Sequence, residues 1–198
     1  MIDIIGAIVG IIFLIPTTIV VCLARKISKE DKGPLFYEQL RYGKNGKIFR
    51  LYKYRSMCIG ADEKLKEYLA NNEEARKEFK KTHKLQNDPR ITKIGNFLRK
   101  TSLDELPQMI NILKGDMSFV GPRPVVEKEV EEYGKNKEKF LSVKPGLTGY
   151  WQVNGRSNTT YEERMEMELF YVDNCSLWLD IKIFFKTFIA VFKKEGAV

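Results

Sequence analysis

Two adjacent carboxylates, Asp104 and Glu105, lie among cationic residues that could bind a phosphorylated substrate. Arg99 precedes the pair, and two further arginines follow, Arg123 within a Gly-Pro-Arg-Pro segment and Arg156 in a Gly-Arg pair. Carboxylates coordinate divalent metals, and guanidinium groups bind phosphate through two parallel hydrogen bonds. This combination indicates a site for a phosphorylated substrate together with a divalent cation.

The carboxylate pair also has a simpler interpretation, because acidic residues are common in the first turn of a helix. Apolar residues recur at helical spacing after the pair and predict a helix that ends at Gly115. With Asp104 as the N-cap, Pro107 is the third helical position; with Ser102 as the cap, Ser102 and Glu105 form a capping box. In both arrangements the carboxylates face the positive end of the helix dipole, which favours their ionised form.

Four further residues are candidates for binding phosphate or for shaping its site. Lys53 and Arg55 share one side of an extended segment, where a solvated strand face and a phosphate contact are both consistent with the pattern. Pro122 and Pro124 restrict the backbone around Arg123 and so limit where its guanidinium group can point. The alternative for this segment is a stiff turn with an incidental arginine.

The composition bounds the class of protein. The chain has 198 residues, 43% of them hydrophobic, and this length suits one domain with an appendage. Its formal net charge of +8 favours a partner that is nucleic acid, anionic lipid or a phosphorylated ligand. Three well-separated cysteines, Cys22, Cys58 and Cys175, argue against a disulfide framework or a zinc site and for a reducing compartment. His83 lies in a charged segment, which indicates a solvated side chain.

The N-terminal segment is a membrane candidate. Residues 4–24 form an uncharged segment that is long enough to cross a bilayer. The segment lacks the basic start of a cleavable signal peptide. Arg25 and Lys26 follow at once, which predicts that the C-terminal side is cytoplasmic. Pro16 interrupts the middle, so the segment is either a single kinked spanning helix, which the residues alone favour, or a re-entrant helix that returns to the same face.

The remaining patterns predict a mixed domain. A hairpin is predicted from apolar runs at residues 35–37 and 48–52 around the turn sequence Gly-Lys-Asn-Gly at 43–46. Further along, the patterns predict a solvated charged helix over residues 62–86, a short helix over 91–98, an apolar run over 117–120, a charged helix over 127–138, a turn-rich loop over 144–149 and a strand over 150–153.

Residues 176–194 form a second membrane candidate. Large apolar residues share a broad helical face opposite lysines, which is typical of a helix lying in the headgroup plane, although a buried core helix would give the same pattern. The apolar face consists of Trp178, Ile181, Phe184, Phe185, Phe188 and Phe192, and the lysines are Lys182, Lys186 and Lys193.

Seven sequence blocks together resemble the bacterial sugar transferases, small monotopic phosphoglycosyl transferases that act on polyprenol phosphate. The most specific are Leu-Arg-Lys-Thr-Ser-Leu-Asp-Glu-Leu-Pro-Gln at 98–108 and Gly-Asp-Met-Ser-Phe-Val-Gly-Pro-Arg-Pro at 115–124. The others are Lys-Gly-Pro-Leu-Phe-Tyr-Glu-Gln-Leu-Arg-Tyr-Gly at 32–43, Lys-Tyr-Arg-Ser-Met at 53–57, Asp-Pro-Arg-Ile-Thr-Lys-Ile-Gly at 88–95, Lys-Pro-Gly-Leu-Thr-Gly at 144–149 and Gln-Val-Asn-Gly-Arg at 152–156.

The resemblance implies an α+β fold: a membrane-embedded, re-entrant N-terminal helix and a small cytosolic mixed domain with a β-hairpin and interfacial amphipathic helices. We expect an anchor over residues 1–26 and a catalytic domain over 27–198 that includes the amphipathic helix at about 176–194. Larger relatives carry extra spanning helices, so we expect a minimal form. The family often has serine before the helix-breaking proline; here Ile15 precedes Pro16, and Thr17 or Thr18 would substitute.

The resemblance also implies the reaction. A UDP-sugar would donate its sugar 1-phosphate to undecaprenyl phosphate, giving the polyprenyl-diphosphate sugar and UMP, with Mg²⁺ or Mn²⁺ as cofactor. The site would lie at the cytoplasmic face of the bacterial inner membrane, in contact with membrane lipids. Downstream glycosyltransferases would be partners in exopolysaccharide, capsule or other glycoconjugate biosynthesis, and nucleic acid would not.

The same resemblance assigns residues to roles. Asp104 would be the nucleophile and a metal ligand, and Glu105 a second metal ligand or a group that positions the acceptor phosphate. Three arginines, two prolines and two strand cations would contact the donor's phosphates or nucleotide: Arg99, Arg123, Arg156, Pro122, Pro124, Lys53 and Arg55. Direct one-step transfer, a non-catalytic membrane scaffold for glycan-assembly enzymes and a membrane-tethered nucleic-acid binder are the alternatives.

Overall fold

The computed structural model describes residues 2–29, 33–82, 85–155 and 159–192. Helices alternate with two small sheets, as the mixed-fold prediction requires. Along the chain the elements are α1 (Ile2–Ser28), β1 (Phe36–Tyr42), β2 (Ile48–Tyr54), α2 (Ala61–Asn71), α3 (Glu73–Thr82), α4 (Lys93–Lys100), α5 (Gln108–Leu113), β3 (Ser118–Val120), α6 (Glu127–Glu132), α7 (Lys137–Phe140), β4 (Gly146–Thr148), α8 (Tyr150–Asn154), α9 (Tyr161–Asn174) and α10 (Leu177–Phe192), with 3-10 turns at Lys44–Gly46, Leu103–Glu105 and Gly134–Asn136.

Strands β1 and β2 form the predicted antiparallel hairpin, in a register that pairs Leu40 with Arg50. The turn between them needs left-handed backbone, since φ is 57° at Asn45 and 76° at Gly46. Asparagine and glycine are the residues that adopt this conformation most readily. The Gly-Lys-Asn-Gly turn prediction is therefore confirmed.

The second sheet consists of the short parallel strands β3 and β4, which pair Ser118 with Gly146 and Val120 with Thr148. Its backbones approach so closely that a Cβ atom on Gly146 would lie 2.1 Å from the backbone nitrogen of Gly121. Only glycine fits at such a distance. The Gly-Pro-Arg-Pro segment and the predicted loop at 144–149 are thus packed against each other, and the second contains a strand.

One side of helix α1 packs into the core of the domain. Ala7, Leu14 and Val21 recur every seven residues on its buried side. Gly6 and Gly10 allow two side chains to pack directly against the α1 backbone. A Cβ atom at Gly6 would lie 2.5 Å from the ring of Phe119, and one at Gly10 would lie 2.5 Å from the sulfur of Met109. The cluster that Ala7 joins also contains Phe49, Leu51, Met109, Ile112 and Met117.

Both ends of α1 contact the same domain. Asp3 Oδ1 accepts hydrogen bonds of 3.1 Å from the Ser118 hydroxyl and from the Phe119 backbone N–H. At the other end, the Arg25 guanidinium donates to the carbonyls of Gly33 and Pro34 over 3.0 and 3.1 Å. The helix therefore lies along the domain for its full length.

The helix continues through Pro16. Thr17 Oγ1 donates to the carbonyl of Phe13 over 2.8 Å, and Thr18 Oγ1 donates to that of Leu14 over 2.7 Å. A hydroxyl group that donates to the carbonyl four residues earlier adds a hydrogen bond to a helical turn that contains proline. Thr17 and Thr18 thus both supply hydrogen bonds beside the proline, as expected where the family has serine.

The opposite side of α1 is broadly apolar and exposed, and the helix is long and apolar enough to cross a membrane. Ile12, Phe13 and Val20 each have more than 60% of their surface exposed. Exposure of this extent on one helix face is the pattern of a surface that contacts lipid. The predicted membrane segment is present as a helix.

Helix α10 has a similar exposed face. Leu177, Trp178 and Phe185 are more than 60% exposed, whereas Ile183 and Ala190 are buried. Because its large apolar residues face outward, α10 is not the buried core helix that the sequence left open. Its Phe184 ring packs edge-on against Phe119. The side chains of Phe188 and Phe192, together with Lys193, lie outside the described residues.

Several element predictions need correction. The charged segment at 62–86 forms two helices, α2 and α3, separated at Asn72. The helix predicted over 127–138 is shorter: α6 ends at Glu132, a 3-10 turn follows and α7 begins at Lys137. Residues 150–153 are helical in α8 rather than a strand, and Trp151 is buried there. His83 and Lys32 lie outside the described residues.

Candidate active site

Asp104 and Glu105 lie together in the 3-10 turn between α4 and α5. Ser102, just before the turn, has a left-handed φ of 56°, and α5 begins only at Gln108, with the preceding proline at its N-cap position. The prediction that the pair occupies the first turn of one longer helix, capped by Asp104 or Ser102, is therefore wrong. The charges that offset these carboxylates come from side chains.

Glu105 forms an ion pair with Lys53, whose Nζ donates to Glu105 Oε1 over 2.6 Å. Burial disfavours the ionised form of Glu105. The charge and hydrogen bond of Lys53, the charge of Arg123 and a hydrogen bond with Gln108 outweigh it and lower the pKa of Glu105 below its ordinary value. Glu105 is therefore ionised and held in place at neutral pH.

Asn111 explains why Lys53 meets the turn. This residue of α5 is completely buried, and its Oδ1 accepts from the Tyr52 backbone N–H over 3.1 Å. Its Nδ2 donates to the Arg50 carbonyl over 2.7 Å. One side chain thus satisfies two edge groups of β2 that a further strand would otherwise satisfy. It joins β2 to the helix that follows the carboxylates.

Asp104 has the opposite electrostatic character from Glu105. Only 9% of its surface is exposed. Burial, reinforced by the neighbouring charge of Glu105, raises the pKa of Asp104 to about 6, although Lys53 and Arg99 act in the other direction. At neutral pH the carboxylate is ionised but poorly solvated, and such groups are typical of reactive sites.

A cleft beside the pair brings together four of the predicted residues: Lys53, Glu105, Arg123 and Pro124. A guanidinium and an ammonium group facing one cleft favour an anion with more than one charge, such as a diphosphate. The remaining lining residues are Arg41, Leu51, Gln108, Gly146, Leu147 and Gln152.

Two other predicted residues lie near the cleft without lining it. Arg99, in the last turn of α4, acts on Asp104 through its charge. Pro122 lines a second, smaller cavity on the other side of Arg123, with Tyr42 and Phe140. Arg123 thus stands between the two cavities, since it lines both.

Arg55, a further predicted cation, is not brought to the pair. Arg55 Nε donates to the Pro34 carbonyl over 3.0 Å, and its guanidinium lies 5.7 Å from the centre of the Tyr37 ring. These contacts place the Arg55 side chain beside β1 and the loop before it. Arg156 lies outside the described residues.

Sequence reasoning missed three polar residues of the cleft, Arg41, Gln108 and Gln152. All three fall inside blocks that carry the family resemblance, but the resemblance gave them no role. Gln108 directly follows the proline after the carboxylates and contacts Glu105 because α5 begins there.

The pair could hold a divalent metal. Within the described ranges, no group of three or more His, Cys, Asp or Glu side chains surrounds a common point. Asp104 and Glu105 fit Mg²⁺, which typically takes one or two protein carboxylates and completes its shell with water and substrate phosphates. A metal would therefore bind together with a phosphorylated ligand rather than in a closed protein cage.

Comparison with known sequences gives a consistent result. Residues 1–194 match the model of a family described as bacterial sugar transferase. The chain is 50% identical over 186 residues to the undecaprenyl-phosphate galactose phosphotransferase of Salmonella typhimurium, with 94% of this chain and 39% of that protein covered. It is 45% identical over 195 residues to the UDP-galactose-lipid carrier transferase of Erwinia amylovora, with 98% and 40% covered.

A shorter relative is covered more fully. The exopolysaccharide production protein ExoY of Sinorhizobium fredii is 45% identical over 195 residues, which cover 98% of this chain and 85% of that protein. The chain therefore spans about two fifths of the length of the two larger relatives and most of the length of ExoY.

Proposed function

The chain belongs to the bacterial sugar transferases, and from this we propose that it transfers a sugar 1-phosphate from a UDP-sugar to undecaprenyl phosphate. The products would be the undecaprenyl-diphosphate sugar and UMP. The names of the Salmonella and Erwinia relatives support this reaction class. The observation that carries the proposal is the buried Asp104 carboxylate, set beside an ionised Glu105–Lys53 pair and next to the cleft that Arg123 lines.

We infer a two-step reaction. An oxygen of Asp104 attacks the phosphorus nearest the sugar, the bond from that phosphorus to the bridging oxygen breaks, and UMP leaves with the electron pair. The lipid phosphate oxygen then attacks the same phosphorus, and the Asp104 carboxylate is released. The low solvation of Asp104 supports this role, because its oxygen loses little hydration when it attacks.

The cationic side chains hold the substrates. Lys53 and Arg123 would bind the donor's diphosphate, since both line the cleft, and Arg99 would bind phosphate from the side of α4. A Mg²⁺ or Mn²⁺ ion held by Asp104 and Glu105 would neutralise charge on the diphosphate. Arg156 stays a proposal from its sequence block alone.

We propose that the protein is monotopic and binds the cytoplasmic face of the bacterial inner membrane. From Asp3 to Arg25 a helix rises about 33 Å, at about 1.5 Å per residue, which is roughly the thickness of a bilayer core. If α1 spanned the bilayer, its two ends would lie on opposite sides of the membrane, yet both ends contact one domain. The cations after residue 24 support a cytoplasmic location.

The exposed faces of α1 and α10 would then contact lipid together, which brings the cleft to the membrane surface where undecaprenyl phosphate resides. The lipid-linked product would be the substrate of glycosyltransferases that add further sugars. The names of the relatives that concern exopolysaccharide production support a place in such a pathway.

The test uses the purified protein in lipid nanodiscs with a panel of UDP-sugars and Mg²⁺. With donor alone, intact-protein mass spectrometry should show a phosphosugar adduct on the wild type and none on Asp104→Asn, and the rate of lipid product formation should fall by about 10³-fold or more. Asp116→Asn is the matched control, because Asp116 pairs with Lys47 outside the cleft.

One-step transfer and the scaffold predict different results in this test. Product formation without any adduct would indicate one-step transfer. If the wild type releases no UMP from any donor in the presence of undecaprenyl phosphate, the result would favour the non-catalytic scaffold. Normal turnover by Asp104→Asn would overturn the nucleophile assignment.

A further inference from the structure

The backbone of the Pro122–Pro124 loop is held at three points by three different elements. The Pro122 carbonyl accepts a hydrogen bond from the Gly146 N–H of β4 over 2.8 Å. The Pro124 carbonyl accepts one from Arg41 Nη1 of β1 over 3.1 Å. Because prolines lack an N–H, Arg123 carries the one backbone donor of these three residues, and it donates to Glu168 of α9 over 3.3 Å.

Glu168 is the most unusual member of this set. It has 1% of its surface exposed, and it lies 45 positions along the chain from Arg123, whose backbone it contacts. Besides the Arg123 N–H, its carboxylate accepts hydrogen bonds from the Tyr133 hydroxyl and from Arg164 Nε. Burying a carboxylate is costly unless its oxygens are hydrogen-bonded and its charge is compensated. The Glu168 oxygens accept hydrogen bonds from groups of three segments, and Arg164 supplies an opposite charge, while burial still raises the pKa of Glu168 above its ordinary value.

Arg164, which compensates the charge, is itself fixed. Its guanidinium lies 5.0 Å from the centre of the Trp151 ring of α8 and 5.3 Å from that of Tyr161. Rings stacked on a guanidinium restrict its orientation. The carboxylate of Glu168 is therefore presented to the Arg123 backbone by a rigid surrounding structure rather than by a mobile side chain.

We propose that Glu168 is a positioning residue for the transfer reaction, acting through Arg123. This inference rests on the proposed function. The flanking prolines restrict the backbone on either side of Arg123, and the bond to Glu168 restricts its remaining freedom, so that the guanidinium is directed into the cleft before substrate binds. Preorganised donors accelerate a reaction because no reorganisation is needed when charge develops.

A purely structural role for Glu168 makes a different prediction. It would lower the amount of folded protein and would affect catalysis equally whether or not the Arg123 side chain is present. A positioning role acts only through that side chain, so the effects of changing the two residues should not add.

The experiment measures single-turnover UMP release from donor alone, for wild type, Glu168→Gln, Arg123→Ala and the double variant. We expect Glu168→Gln to lower kcat/KM about 10- to 100-fold in the wild-type background and to change it less than about twofold when Arg123 is alanine. Asp180→Asn is the matched control: Asp180, on α10, also accepts from a buried tyrosine, Tyr171, over 2.8 Å, and that hydroxyl contacts the Val120 carbonyl rather than residues 122–124. This control should keep the wild-type rate.

Equal fold losses in both backgrounds, or a wild-type rate for Glu168→Gln, would overturn the inference. If Glu168→Gln does not fold, Tyr133→Phe replaces it, since it removes one hydrogen bond to the carboxylate and leaves the charge. If the wild type itself releases no UMP, the proposed function has failed. Calorimetry on the same four proteins then measures the affinity for UDP in the presence of Mg²⁺. The inference holds if Glu168→Gln weakens this affinity in the wild-type background and has little effect when Arg123 is alanine.

Discussion

Asp104 and Glu105 are neighbours in sequence but differ in their protonation behaviour. Glu105 has a lowered pKa, since Lys53 and Arg123 outweigh the effect of burial. Asp104 has a pKa raised to about 6, first by burial and then by the charge of Glu105. A raised pKa means that the folded chain holds the proton more tightly than the unfolded chain, so this group reduces the free energy of unfolding as pH rises through about 6.

The raised pKa of Asp104 predicts the pH dependence of the first step. With subsaturating donor and no lipid acceptor, UMP release should be about tenfold slower at pH 5 than at pH 7, because only ionised Asp104 attacks. Leaving out the acceptor removes its own titrating phosphate from the profile. Stopped-flow or quenched-flow detection of UMP provides the measurement.

Lys53→Met serves as the comparison for this profile. Lys53 favours ionisation of Asp104 through its charge, so its loss should move the limb of the profile to higher pH. A rate that stays constant between pH 5 and pH 7 in the wild type would contradict the assignment of Asp104 as the titrating nucleophile.

Secondary-structure elements that depend on residues close together in the chain could be predicted from the sequence. The hairpin followed from its turn residues, and α1 from its uncharged length. The strand predicted at Tyr150–Val153 failed because aromatic residues have high β propensity. In the fold, burial of Trp151 against Arg164 outweighs that propensity, and the segment is helical.

The site itself was only partly readable from sequence. Asp104, Glu105 and Arg123 stood out because their types and blocks are distinctive, and the structure brings Glu105 and Arg123 to one cleft. Arg55 was misleading: alternation along an extended segment puts it on the side of Lys53, but β2 ends at Tyr54 and Arg55 turns to Pro34. Glu168 could not be inferred, since its contacts depend on how α9 packs.

The glycines between β3 and β4 predict a large effect on stability. A Cβ atom on Gly146 would lie 2.1 Å from Gly121 N and 2.5 Å from Thr148 O, and backbone atoms cannot move aside as a flexible side chain can. Gly146→Ala should lower the free energy of unfolding by about 3 kcal/mol or more. Thermal and denaturant unfolding in detergent measure it.

Gly134→Asn provides the control for that substitution. A Cβ atom at Gly134 would have nothing within 4 Å, and asparagine tolerates its left-handed φ of 50° better than most residues. Its stability should change by less than about 1 kcal/mol. Similar losses for the two variants would contradict the close-approach explanation.

For the whole molecule, the contacts at both ends of α1 predict the topology of the chain. A protease-cleavable epitope tag placed before Met1 should be cut in inside-out membrane vesicles and protected in right-side-out spheroplasts, because Asp3 contacts the same domain as Arg25. A tag placed after Val198 is the control for vesicle orientation. Cleavage of the N-terminal tag only in spheroplasts would show that the helix spans the bilayer.

The hydrogen bonds of Asp3 to Ser118 and Phe119 join residues 115 and 116 positions apart. Helix α1 is therefore synthesised long before the segment that receives its first turn. In the proposed membrane arrangement, α1 would contact lipid before Ser118 and Phe119 become available to Asp3. Nascent chains arrested before residue 118 should then populate a membrane-bound intermediate in which this end of α1 is not yet docked.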